Sequence, residues 1–168
     1  RPPSFLLPNR PPIFLLPNAL ERNGTQIAEG VHQSVTMGMG QFCTKPGLLF
    51  LPKGHGLDVA LADALRSASV GPLLNARIRN AYRESAATQA AVPGTRPIVS
   101  TTDDAGGGYR VAPQLLAVPA ADLVTHADTL LEECFGPAAI VVEYDDANDL
   151  DRALAAAAAA GHLLEELP

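Results

Sequence analysis

The sequence predicts an α/β fold: a largely parallel sheet flanked by helices. Three observations carry this reading. Two short apolar runs, at 48–52 and 138–144, have the composition of buried strands. The segments between them repeat apolar residues at helical intervals. Strands and helices also alternate along the chain, the order that yields a parallel sheet covered by helices.

Residues 1–18 form a tandem repeat, Arg-Pro-Pro-Ser-Phe-Leu-Leu-Pro-Asn followed by Arg-Pro-Pro-Ile-Phe-Leu-Leu-Pro-Asn, differing only at Ser4 and Ile13. Each copy holds a Phe-Leu-Leu run between prolines and reads as a short strand with stop signals. Two copies are too few for a solenoid, and only the second is expected in the sheet. The expected division is a duplicated segment at 1–9, outside the core, and one domain at 10–168. A helix follows over 19–35 with Leu20, Ile27, Val31 and Val35 on one face, weakened by Gly24 and Gly30. A Gly-rich loop leads into the strand at 48–52. A second helix over 57–68 gathers Leu57, Ala60, Leu61, Ala64 and Leu65, and a third runs over 75–91 until Pro93-Gly94.

Residues 97–100 read as a short strand and 101–108 as a polar turn. The stretch 109–118 alternates weakly and is expected to be a strand, with Pro113 against it. A short helix and loop fill 121–131. After the strand at 138–144, Asp145-Asp146 cap a last helix through Ala160, which Gly161 stops.

A chain of 168 residues can bury one sizeable core. With 47% hydrophobic and 18% charged residues it is not a disordered segment. The net charge of −6 and the lack of a basic block argue against nucleic acid, and no run is apolar enough for a membrane span. Two cysteines make no disulfide framework, so a cytoplasmic setting is expected. The start at Arg1 rather than Met reads as a piece of a longer protein.

Two motifs carry chemistry. Gly38-Met-Gly-Gln-Phe-Cys43-Thr-Lys-Pro-Gly47 sets a thiol on a Gly-rich turn between a helix and a strand. Cysteine alone is more often a small buried hydrophobe. Near a helix N-terminus, or in a turn with free backbone N–H groups, Cys43 would be a stabilised thiolate, and the same N–H groups would hold an oxyanion. The second motif is Glu132-Glu133-Cys134-Phe135-Gly136-Pro137. By itself it reads as a solvated acidic turn. Functionally, it offers a carboxylate for sugar hydroxyls and a flat apolar wall in Phe135. Gly106-Gly107-Gly108 lacks phosphate-loop spacing. His32, His55, His126 and His162 show no metal-ligand spacing, so no metal is expected and the histidines are read as solvated or on helix surfaces.

Taken in this order, the motifs resemble those of the NAD(P)-dependent aldehyde dehydrogenase superfamily, G-Q-x-C at 40–43 and E-E-x-F-G-P at 132–137. The extended form Gly-Gln-Phe-Cys-Thr-x-Pro-Gly is most similar to the α-ketoglutaric semialdehyde and fatty aldehyde branch, as are 12–20 and Ala81-Tyr82-Arg83. The resemblance covers about residues 10–160 and implies part of the catalytic domain. It implies that Cys43 attacks an aldehyde, such as a semialdehyde, and oxidises it to an acid through a thiohemiacetal and a thioester. It further implies that Glu133 binds the nicotinamide ribose, that Phe135 packs near the ring, and that the cofactor is NAD or NADP, the branch favouring NADP.

The departures follow from the same resemblance. The general-base glutamate is expected before the strand near Pro12, yet no Glu precedes Glu21. The oxyanion asparagine, the nucleotide-binding domain and the oligomerisation strand of the homo-oligomeric full-length relatives have no counterpart here. Cys134 takes a usually aliphatic place and is expected to be structural. Lys45 stands where Asn is expected and would add a charge near the thiol. Two other readings remain open: an inactive relic that keeps the fold, and a cofactor-free thiol hydrolase, for which no histidine is an obvious base.

Overall fold

The computed structural model describes residues 12–15, 17–68, 71–100 and 107–161. The first repeat copy, most of the polar turn at 101–108 and His162 lie outside the described residues. Five strands make one sheet: β1 (Ile13–Phe14), β2 (Leu48–Pro52), β3 (Arg96–Val99), β4 (Gln114–Pro119) and β5 (Ala138–Tyr144). Their order is β1-β2-β5-β4-β3, parallel throughout except for β3, which runs antiparallel to β4 at the edge. The largely parallel sheet is as the sequence predicts. The second repeat copy enters it through Ile13 and Phe14, paired with Leu49 and Phe50.

Side-chain alternation builds three layers. Leu49, Leu51, Leu115, Ala117, Ala139 and Val141 face α1 (Pro17–Thr36) and α2 (Asp58–Arg66). Leu48, Phe50, Leu116, Val118, Ile140 and Val142 face the opposite way. There they meet α4 (Ala120–Thr125), α5 (Ala127–Leu130) and α6 (Ala147–Ala159). Burial on both faces explains why β2 and β5 read as unbroken apolar runs rather than alternating ones. Val31 and Val35 of α1 are buried as their spacing predicts, and so are Leu57, Leu61 and Leu65 at α2. Helix α1 is kinked at Asn23 (φ −139°, ψ 26°), beside Gly24. Asp146 caps α6, accepting from Asp149 N–H at 2.9 Å.

The strand expected over 109–118 is half right. Only 114–119 pairs along its length, and Arg110 makes an isolated bridge to Pro72. Pro113 lacks the N–H that a ladder needs, and β4 begins on the next residue. Among the described residues, no helix is long and apolar enough to cross a membrane.

A third apolar cluster lies beside this sandwich. It contains Leu73, Tyr82, Ala86, Val111, Cys134 and Ala138, with Tyr82 and Ala86 supplied by α3 (Ala76–Ala90). Ala138 is the first residue of β5, so this cluster marks the edge where the parallel strands begin.

Candidate active site

Both motifs lie at that edge. Leu48 opens β2, five residues after Cys43, and is paired with Ile140, five residues after Phe135. Because β2 and β5 are adjacent and parallel, the segments leading into them run side by side. The ladder continues outward, Ile140 N–H donating to Gly47 O at 2.9 Å.

The thiol loop is shaped by its backbone. Gly38, Met39 and Gly40 all have positive φ (56°, 57° and 66°) in a single 3-10 turn that ends α1. Met39 is the sole non-glycine with positive φ among the described residues, a strained conformation of the kind that collects at functional sites. Lys45 N–H then donates to Phe42 O at 3.1 Å. That bond closes a turn with Cys43 and Thr44 at its centre. The thiol therefore sits on a turn beyond the C-terminal end of a helix, not at a helix N-terminus. It is exposed, while Cys134 is buried.

Side chains of the first motif brace the loop. Gln41 donates through Nε2 to Gly38 O (3.0 Å) and accepts Leu74 N–H at Oε1 (2.9 Å). Lys45, the expected charge beside the thiol, instead turns inward. It is 5% exposed, and its ammonium donates to Ala138 O at 2.6 Å and Cys134 O at 3.3 Å.

Helix α3 holds the second motif. Gln89 Nε2 donates to Glu132 O at 2.9 Å and Leu130 O at 3.3 Å. Cys134 Sγ donates to Tyr82 O at 3.8 Å, giving Cys134 the structural role expected of it. The Tyr82 hydroxyl donates to Ala112 O at 2.8 Å and lies 3.4 Å from Pro137 O. Burial pushes the Tyr82 hydroxyl well above the ordinary tyrosine range, with nearby Cys134 adding to the effect. Gly136 (φ 152°) passes over the Tyr82 ring, where a Cβ would overlap it.

The side chains singled out from sequence escape this bracing. Cys43, Glu132 and Glu133 are exposed, and Phe135 is 36% exposed. The structure thus brings the backbones of the two motifs together and leaves their reactive groups facing solvent. No local signal in the sequence marks Tyr82, Gln89 or the anchoring role of Lys45; Ala81-Tyr82-Arg83 stands out only through the family resemblance. A recess of about 290 Å³ between α3 and α5 has Glu132 on its wall but none of Cys43, Glu133 and Phe135. It belongs to the helix seam rather than to the thiol loop.

The opposite edge of the sheet corrects the reading of one histidine, His55. The imidazole of His55 is 2% exposed, with Nε2 3.4 Å from Glu143 Oε1 and 3.6 Å from Asp58 Oδ1. Arg96 spans the same two carboxylates, at 2.6 Å from Asp58 and 3.1 Å from Glu143. One nitrogen and two oxygens within 4.8 Å of one another have the composition of a metal site. The hydrogen bonding argues otherwise. His55 Nδ1 accepts Leu57 N–H at 3.0 Å, so the ring proton belongs on Nε2, aimed at the carboxylates. A ligating Nε2 would instead need its proton on Nδ1, against the Leu57 donor. With Arg96 between the acids, this is an ion-paired clasp joining the β2–α2 loop to β3 and β5.

No family model matches the chain. Individual proteins do. α-Ketoglutaric semialdehyde dehydrogenase 2 of Azospirillum brasilense is 37% identical over 148 residues, 82% of this chain and 26% of that protein. The α-ketoglutaric semialdehyde dehydrogenase of Acinetobacter baylyi is 31% identical over 131 residues, 76% of this chain and 25% of that protein. In fold, the chain is similar to aldehyde dehydrogenase C of Pseudomonas syringae, solved with NAD+ and octanal, at TM-score 0.71 and 17% identity over 89% of this chain and 32% of that one. It is also similar to a Thermus 1-pyrroline-5-carboxylate dehydrogenase with bound NAD, at TM-score 0.69 and 22% identity over 86% of this chain and 28% of that one. The chain spans about a quarter of the length of the curated relatives it matches. In sequence and in fold the chain is similar to aldehyde dehydrogenases, of which it spans a part.

Proposed function

We propose that the chain is the thiol-bearing part of an NAD(P)-dependent aldehyde dehydrogenase acting on a semialdehyde of the α-ketoglutaric type. The observation that carries this reading is an exposed cysteine just after a backbone-strained turn, in a loop clasped to the one that bears Glu133 and Phe135. Cys43 Sγ, as thiolate, adds to the aldehyde carbon. The oxyanion that forms is met by the backbone N–H of Cys43. Loss of hydride from the same carbon leaves a thioester on Cys43, and water releases the acid and restores the thiol. NAD(P), when bound, supplies the hydride acceptor. An exposed carboxylate at Glu133 and a partly exposed ring at Phe135 fit the ribose hydroxyls and one face of the nicotinamide. The likeness to the semialdehyde branch favours NADP as the form used.

The second reading, a relic with an intact fold, is favoured by a specific observation: the residues just before β1, where the resemblance expects a general-base glutamate, are Asn9-Arg10-Pro11-Pro12. One assay separates the two. The purified chain is incubated with α-ketoglutaric semialdehyde and NAD+ or NADP+, and reduced cofactor is followed by its absorbance. Turnover that Cys43→Ser abolishes supports the enzyme. A thiol that alkylates normally but yields no reduced cofactor supports the relic. Turnover that survives Cys43→Ser refutes the assignment of the nucleophile.

A further inference from the structure

We infer that Lys45 is a positioning residue that locks the thiol loop to the cofactor loop, an inference that rests on the roles proposed for Cys43, Glu133 and Phe135. Lysine is among the residues least often buried, and desolvating an ammonium is costly unless hydrogen bonds compensate. Lys45 is nevertheless 5% exposed. Its ammonium spans two carbonyls of one segment, Cys134 and Ala138, lying 89 and 93 residues further along the chain.

The placement of the ties matters more than their number. Gly40 packs on Gly136, and Lys45 bonds to Cys134 and Ala138. Cys43 lies between the two tied residues of its own loop, and Phe135 lies between the tied residues of the other. Both are therefore held in segments fastened at each end to the same partner, while their side chains stay exposed. Gly40 supplies close packing, which sets a minimum separation. Lys45 supplies attraction, which sets a maximum. Two charge-assisted bonds to backbone carbonyls suit this role because no side chain of the cofactor loop is used up by them. Lys45 thus fixes the distance between nucleophile and nicotinamide-binding pair without touching substrate.

The sequence contains no tryptophan, so Phe135→Trp provides a single emission reporter on the cofactor loop. Cys43 is alkylated with iodoacetamide in this background, without cofactor, and the change in Trp emission is recorded. With Lys45 in place, alkylation shifts the emission. Lys45→Met, which keeps length but has no donor, is expected to lose that shift while circular dichroism is retained, and Lys45→Arg is expected to restore it. An emission shift that persists in a folded Lys45→Met chain overturns the inference, as does a failure of Lys45→Arg to restore it. If Lys45→Met does not fold, amide resonances of the unsubstituted chain decide. Alkylation of Cys43 must move those of Cys134 and Ala138, and unmoved resonances overturn the inference. Binding of NADPH to the unsubstituted chain is measured separately. Its absence counts against the proposed function and leaves the coupling result standing.

Discussion

Gly40 lies against the carbonyl of Gly136 so closely that no side chain fits between them. One glycine comes from each motif, so the contact joins two parts of the sequence that look unrelated when read in order. Gly40 also has φ +66°, and an added Cβ meets backbone, which cannot swing aside. Gly40→Ala is expected to cost more than about 2 kcal/mol, from a left-handed conformation and overpacking together. Gly30→Ala is the contrasting substitution, because Gly30 lies within α1 with nothing near an added Cβ. It is expected to be neutral or to stabilise by up to about 1 kcal/mol. Urea midpoints followed by circular dichroism test both, and equal effects would contradict the packing described.

The two thiols should behave oppositely. Cys43 is exposed and Cys134 buried, so a thiol reagent should react quickly with one group in the folded chain and with the second only in denaturant. Cys43→Ser removes the fast phase and Cys134→Ser leaves it. Fast reaction of both thiols under native conditions would mean that the loop around Cys134 is open.

Alkali should unfold the chain partly through Tyr82. Burial raises the folded-state pKa of its hydroxyl above the unfolded value, so the folded form keeps a proton that the unfolded form gives up. The stability tied to this group is fully present below the unfolded value and is lost as pH rises toward the folded one. Above pH of about 10 it falls by up to about 1.4 kcal/mol per pH unit. Tyr82→Phe is expected to flatten that decline while costing about 1 kcal/mol near neutrality, through the lost bond to Ala112. Urea midpoints measured across the alkaline range in both chains test the sign.

The Arg96 clasp should be worth little. Arg96 is 48% exposed and Asp58 40%, so solvent screens the pair. Arg96→Ala is expected to cost about 1 kcal/mol or less, and less still in high salt. A loss of several kcal/mol that ignores salt would mean that the clasp is sealed from water.

The elements that were legible in the sequence are those fixed locally. Leu48 to Leu51 and Ile140 to Val142 announce buried strands by composition, and Asp146 announces a helix start by its acceptor. Both motifs could be read because each is contiguous. What escaped depends on partners remote in the chain. Lysine and histidine are solvated by default, and only contacts made after folding bury Lys45 and His55. The antiparallel course of β3 was equally hidden, since a four-residue run has no direction in its composition. Alternation at 109–118 runs past the true strand, which begins at Gln114 because Pro113 lacks the N–H a ladder needs.

The bracing of the two loops runs through backbone atoms and the buried groups Lys45, Tyr82 and Gln89, not through the exposed side chains that the proposed chemistry requires. Selection for folding and selection for reactivity therefore act on different residues. Cys43, Glu133 or Phe135 could be replaced at little cost to stability, and the scaffold would persist unchanged through the loss or exchange of its chemistry. Among descendants of such a chain, an intact fold is inherited more securely than an intact reaction.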